Sequence, residues 1–222
     1  MQFKKLYPYT SLPSDYYKPI LTSLQKYSVK KLATIYGCSE AIAKAAYESF
    51  QSFDQATPNA ALYAYTGLAY QALRLQEYTK DQWDYAEQTI QIIDAFYGIV
   101  TPLTGIKPYR LDFHTPFKPS LYSKWNFTLE EPIVNLASLE YSKAITQPMI
   151  SIEFYENNNG KLINKATYAK MARGAMLDYC ITNKINTPNQ LISFNQLGYQ
   201  YSKSHSTKSL YVFIRDAKGP IK

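Results

Sequence analysis

The chain has 222 residues, 46% of them hydrophobic and 18% charged, and a formal net charge of +7. That balance suits a folded globular protein with a sizeable core and excludes a disordered chain. No apolar run approaches the roughly 20 residues of a membrane-spanning helix. The start, "MQFKKLYPYT", lacks the apolar stretch of a secretory signal. Cys38 and Cys180 make neither a disulfide framework nor a metal site, so reducing cytoplasm is the expected compartment.

In chain order, residues 17–53 read as a helical arm. Pro19 suits a first turn ahead of Ile20, Leu21, Leu24 and Tyr27. A second short helix carries Val29, Leu32, Ala33 and Ile35; Gly37 breaks it, and Ser39 can cap a third through Ala43, Ala46, Tyr47 and Phe50. Residues 57–222 read as a mixed α/β body. "ALYAYTGLAY" (61–70) reads as a strand ending near Gly67. Residues 80–97 read as one helix, with Trp83, Ala86, Ile90, Ile93 and Tyr97 at helical steps. Prolines at 102, 108, 116 and 119 mark 98–128 as loop-rich. "EPIVNLAS" (131–138) reads as a buried strand running into a helix capped by Ser138.

Residues 148–164 read as a hairpin turning at Asn159-Gly160, the pair suited to a tight two-residue turn. A helix follows from Thr167 to about Asn183, then two strands, "LGYQYSKS" and "SLYVFIRD". Without internal repeats or low-complexity linkers, the expectation is one α+β domain over 1–222.

The positive charge is uneven. Residues 165–222 hold nine of the 24 basic side chains against two acids, Asp178 and Asp216. Clustered positive charge attracts phosphate over about 8 Å at physiological salt. The 22 tyrosines suit core edges, interfaces and stacking.

"KKLATIYGCSEAIAKAAYESF" (30–50) fits a helix-hairpin-helix. Leu32, Ile35, Gly37 and Cys38 match the pattern, with Ser39 where a second glycine is expected, then Ala43 and Ala46. Gly37 permits the turn, and amides at the next helix start can meet a phosphate without reading bases. A plain helical corner is the competing reading. Lys44 lies on the same element. A second basic set comprises Lys107, Arg110 and His114 in "KPYRLDFHT", then Lys170 and Arg173 three apart on one helix with Gly174 beside them. Lys203, His205 and Lys208 lie in a later loop. Arg suits bidentate phosphate contact, though Arg110 could instead pair Asp112 and Arg173 could pair Glu140. Asn135, Ser138, Glu140 and Tyr141 form a polar set at a strand's carboxyl end, where Glu140 could act as a base, capping and packing being the competing roles. Nucleotide-loop and nucleophile-elbow motifs are absent, and no metal or cofactor is expected.

"FYGIVTPLTGIKPYRLDF", "NLASLEYSKAI", "YAKMARGAMLDY" and "FNQLGYQYS", in that order, closely resemble the YaaA family of bacterial peroxide-stress proteins, from about residue 30 to 215. The resemblance implies a cytosolic protein that limits oxidative damage, a mixed α/β fold, a helix-hairpin-helix and a basic cleft for duplex DNA. Its motif positions here are Arg110, Asn135, Ser138, Glu140, Lys170, Arg173, Gly174 and the Gly37 turn. Family members begin with an apolar strand and a Ser-Pro-Ala-Lys-like or Thr-Ala-Lys-like segment, which "MQFKKLYPYT" does not supply. The leading expectation is a monomeric, non-enzymatic protein that binds duplex DNA without sequence preference, with no membrane or protein partner. Gly37, Cys38, Ser39, Lys44, Lys107, Arg110, His114, Lys170, Arg173 and Gly174 would meet phosphate. An enzyme acting on a nucleobase or nucleotide is the alternative, and redox sensing through Cys38 or Cys180 is a weaker third.

Overall fold

A computed structural model describes residues 7–11, 15, 17–125 and 127–217. The expectation of a missing first strand concerns a start that lies largely outside those residues. The chain has an α+β fold whose contacts gather into two compact units. Unit 1 comprises residues up to Tyr65, Thr89–Phe127 and Leu139–Ile145; unit 2 comprises Thr66–Gln88, Thr128–Ser138 and the chain from Thr146 on. No helix among the described residues is long and apolar enough to cross a membrane.

Unit 1 opens with helices Lys18–Leu24, Val29–Tyr36 and Glu40–Gln51, as the apolar spacing predicts. Pro19 stands in the first turn, where its missing N–H costs nothing. The Ser28 side chain accepts the Lys31 amide and starts the second helix. Ile20, Leu21, Leu24, Leu32, Ala43, Ala46 and Phe50 turn inward. The ends are stitched by Gln25, whose amide donates to the Phe50 carbonyl at 2.9 Å while Gln51 donates back to its carbonyl at 2.9 Å.

Two sequence expectations fail in the next stretch. Only Asn59–Ala60 extends, paired antiparallel with Gly105–Ile106. Ala61–Ala64 then winds into a helical turn and Leu68–Gln71 into another, so 61–70 is not a strand. Alanine favours helix locally, and the amides of Ala61 and Leu62 are taken by the carbonyls of Thr104 and Pro102. The helix expected over 80–97 stops at Thr89. Ile92–Asp94 instead forms a hairpin with Gly98–Val100. Asp94 makes the turn by accepting the amides of Phe96 and Tyr97, and Gly98 completes it at φ +89°. A Cβ at Gly98 would also lie 2.8 Å from the Trp125 ring. Helical periodicity ran on through a turn that the local carboxylate dictates.

Unit 2 is built on a mixed sheet. Its strand order is Val134–Asn135, Ile150–Asn158, Leu210–Asp216, Gln200–Tyr201, with Lys161–Ile163 paired to the far end of Ile150–Asn158. The first three run parallel; the pairings of Lys161–Ile163 and Gln200–Tyr201 are antiparallel. The Asn159-Gly160 turn is as expected, both residues left-handed at φ 52° and 87°. Alternation on the central strand sends Ile152 and Phe154 into a core with Tyr211 and Phe213. Helix Ala166–Asn183 supplies Ala169, Ala172, Ala175, Met176 and Cys180 to that core, and Leu191, Phe194 and Tyr199 complete it. The buried strand expected over 131–138 is only Val134–Asn135 and is half-buried; the chain then passes to unit 1, where it makes one helical turn, Leu139–Ser142.

Candidate functional site

In unit 1 the glycine bend is real. Gly37 sits at φ 57°, ψ 38°, closing the Val29–Tyr36 helix in the left-handed conformation that glycine tolerates. The Gly37 amide points at the Thr34 carbonyl (3.4 Å) and the Cys38 amide at that of Ala33 (3.2 Å), so these two donors serve the preceding helix. Ser39 stands at the N-cap of Glu40–Gln51, but its side chain makes no capping bond. Among the described residues, the first-turn amides of that helix are therefore the donors left at the bend. Lys44 reaches Glu48 at 4.0 Å in an exposed pair that contributes little.

The bend is joined to "KPYRLDFHT" by one side chain. The Tyr36 hydroxyl donates to the Arg110 carbonyl at 2.6 Å, and the Arg110 guanidinium lies 5.5 Å from the Tyr36 ring centre, a cation–π approach. Burial raises the Tyr36 phenol above its ordinary pKa despite the opposing charge of Arg110, so it stays a donor. Arg110 is exposed and forms no ion pair with Asp112 among the described residues. Lys107 behaves differently: its ammonium donates to the carbonyls of Phe53 (2.9 Å) and Asp54 (3.0 Å). It closes the end of the helical arm. His114 meets Glu140, with Nε2 3.9 Å from Oε2 and its amide donating to Oε1 at 3.4 Å, while Tyr122 donates to the Glu140 carbonyl at 3.0 Å.

Unit 2 holds the other cations. Lys170 is exposed, and Arg173 is half-buried with its Nε enclosed and, among the described residues, without a hydrogen-bond partner. Burial lowers the Arg173 pKa, partly offset by the charge of Glu153. Beside it, Gly174 lets the helix touch the Leu68–Gln71 turn; a Cβ there would fall 2.0 Å from the Ala69 carbonyl oxygen. Gly174 is thus a packing residue. Asn135 accepts the Ala137 amide at 2.9 Å, forming the turn after its strand, and Ser138 follows half-buried. In the 203–208 loop, His205 Nδ1 lies 2.8 Å from Ser202 Oγ and 3.1 Å from Ser204 Oγ, with Lys203 and Lys208 exposed. Cys180 is buried, its thiol pushed up to about 12, which suppresses the thiolate that redox sensing would use. Cys38 is half-buried.

Residues 3–205 match the family model described as "Peroxide stress protein YaaA". The chain belongs to the YaaA family. Among similar proteins, a UPF0246 protein of Agathobacter rectalis is 34% identical over 216 residues, spanning 88% of this chain and 86% of the relative. One from Lactobacillus johnsonii is 41% identical over 170 residues, 69% of this chain and 68% of its own. One from Rickettsia peacockii is 32% identical over 237 residues, covering 97% and 96%.

Within this YaaA chain, Tyr65, Asp94 and Tyr109 were not singled out from the sequence, and Tyr141 and Asp112 were named there but not paired. Tyr141 donates to Asp112 at 3.4 Å; Tyr65 and Tyr109 both donate to Asp94. Tyr109 and Asp112 fall inside a family segment, which was the available signal. Their partners are distant in sequence, so spacing alone could not pair them. Among the described residues no group of His, Cys, Asp or Glu could hold a metal ion.

Proposed function

We propose that this peroxide-stress-family chain is a cytoplasmic, monomeric protein that binds duplex DNA without reading its sequence. The observation that carries the reading is the Tyr36–Arg110 contact, which sets an exposed guanidinium next to the Gly37 bend. First-turn amides after Ser39 supply neutral donors, and Arg110 and Lys44 supply charge. Lys107, occupied by carbonyls, contributes field rather than direct contact. Lys170 and Arg173 are the cations of unit 2 in the same role. Contacts of this kind meet phosphates alone, so they are indifferent to base order.

Fluorescence anisotropy on several unrelated duplexes tests this. Near-equal affinities are expected, with Arg110→Ala weakening all of them several-fold and Arg110→Lys recovering part. Strong preference for one duplex, or an Arg110→Ala variant that binds as tightly as the parent, contradicts it.

A second reading, an enzyme acting on a nucleobase or nucleotide, is favoured by the buried Nε of Arg173, which has no partner among the described residues. A buried donor without an acceptor costs about 1–3 kcal/mol, and a ligand phosphate would remove that cost. On this reading, nucleoside monophosphates raise the melting temperature of the parent but not of Arg173→Ala. Equal behaviour of the two proteins removes it.

A further inference from the structure

Asp94 lies outside the DNA-contacting group, and its surroundings exceed what a turn requires. It is 2% exposed. Its Oδ1 accepts the amides of Phe96 (2.7 Å) and Tyr97 (2.8 Å), which suffices to form the turn. Its Oδ2 accepts two phenols in addition, Tyr65 at 2.5 Å and Tyr109. No cation pairs with it among the described residues. Burial raises its pKa and the four donors pull only part of the way back. The carboxylate is therefore a stronger base than an exposed one, and it sits in direct hydrogen-bond reach of two phenolic protons.

The neighbouring rings lead outward from it. Tyr109 is stacked on Phe96 at 4.9 Å and edge-on to Tyr97 at 5.2 Å; Tyr97 is edge-on to Tyr17 at 5.1 Å. Tyr17 and Tyr97 line a cavity of about 200 Å³ together with Ser11 and Lys107, whose ammonium favours an anionic visitor. Among the described residues Tyr97 meets no side-chain base: its hydroxyl lies between the backbone N–H (2.8 Å) and carbonyl (3.2 Å) of Lys107. A phenol that loses an electron becomes strongly acidic. Among the described residues, Tyr109 is the ring on this path whose hydroxyl is hydrogen-bonded to a carboxylate.

We propose that Tyr109 and Asp94 form a proton-coupled redox site, where a small one-electron oxidant in the cavity draws an electron from Tyr109 by way of Tyr97. With the carbonate radical anion as oxidant, that ion gains one electron and becomes carbonate. The Tyr109 O–H bond breaks, leaving a neutral tyrosyl radical. Its proton forms a new O–H bond at Asp94 Oδ2. Tyr65 remains hydrogen-bonded to the carboxyl group. The site needs no nucleic acid, so it stands apart from the DNA-binding reading.

The test exposes the full chain to carbonate radical generated by flash photolysis, freezes it, and records electron paramagnetic resonance. The expected signal is one homogeneous tyrosyl radical with an exchangeable-proton coupling from the Asp94 carboxyl. Tyr109→Phe and Asp94→Asn, the latter keeping the turn geometry, each lower its yield about tenfold. A heterogeneous signal without that coupling, as from exposed rings such as Tyr9, overturns the proposal; so does an unchanged yield in a folded Asp94→Asn. Should either variant fail to fold by circular dichroism, the coupling in the parent protein decides alone.

Discussion

Glu156 carries a carboxylate to a place where it is 1% exposed. Arg215 meets its Oε1 through Nε at 2.9 Å and Nη2 at 2.5 Å, and Lys165 lies 2.7 Å from Oε2. The Arg215 guanidinium is itself held between the rings of Tyr168 (4.7 Å) and Tyr199 (4.8 Å). Burial pushes the Glu156 pKa up, but the bonds and charges of Lys165 and Arg215 outweigh it and leave the carboxyl below its ordinary value. The folded state thus holds that proton less tightly than the unfolded chain. The resulting stability is present above the unfolded value of about 4.3 and is lost as pH falls through the lowered folded value. Glu156→Gln strands a buried guanidinium, and denaturant unfolding near pH 7 should show a loss of about 3 kcal/mol. The variant's stability should also depend less on pH below about 4.3; an unchanged acid limb contradicts the assignment. Asp94 has the opposite sign: its raised pKa means its contribution is complete below about 3.9 and declines as pH rises through the folded value. Neither cluster was legible in the sequence. Glu156 and Arg215 are 59 residues apart, and only the parallel register that pairs them brings them together. Arg110 and Arg173 were singled out from the sequence because arginine suits bidentate phosphate contact, but their surroundings, the Tyr36 ring and the enclosed Nε, were not readable there.

At the scale of elements, two glycines separate backbone need from packing need. A Cβ on Gly37 meets nothing within 4 Å, so Gly37→Ala is opposed only by the left-handed backbone, about 1–2 kcal/mol. Gly174→Ala drives a methyl group into the Ala69 backbone and should cost more, about 3 kcal/mol or above, because helix and turn must separate. Thermal unfolding of the two variants checks the order; a milder Gly174→Ala contradicts the packing role. The helices of 18–51, the Asn159-Gly160 hairpin and the long helix were readable because caps, period and turn residues agreed. The stretch 61–100 was not, because its structure is set by distant partners: Thr104 and Pro102 take the amides of 61 and 62, and one carboxylate turns the chain at 94. Tertiary bonds there override local propensity.

For the whole molecule, family membership and a net charge of +7 both precede any statement about a ligand. Four ordered segments were enough to reveal the family from sequence, since they outrank any single motif in specificity. The basic residues were visible too, but not their differing fates: Lys107 is consumed by carbonyls, while Arg110 stays exposed on a tyrosine ring. Duplex-DNA affinity measured across salt concentration tests the central proposal most directly. Contacts to phosphate release counterions, so log affinity should fall linearly with log salt, with slope about −0.9 for each phosphate neutralised. Removing Arg110 should flatten that slope by about one contact. A salt-independent affinity, or no binding even at low salt, would contradict the account.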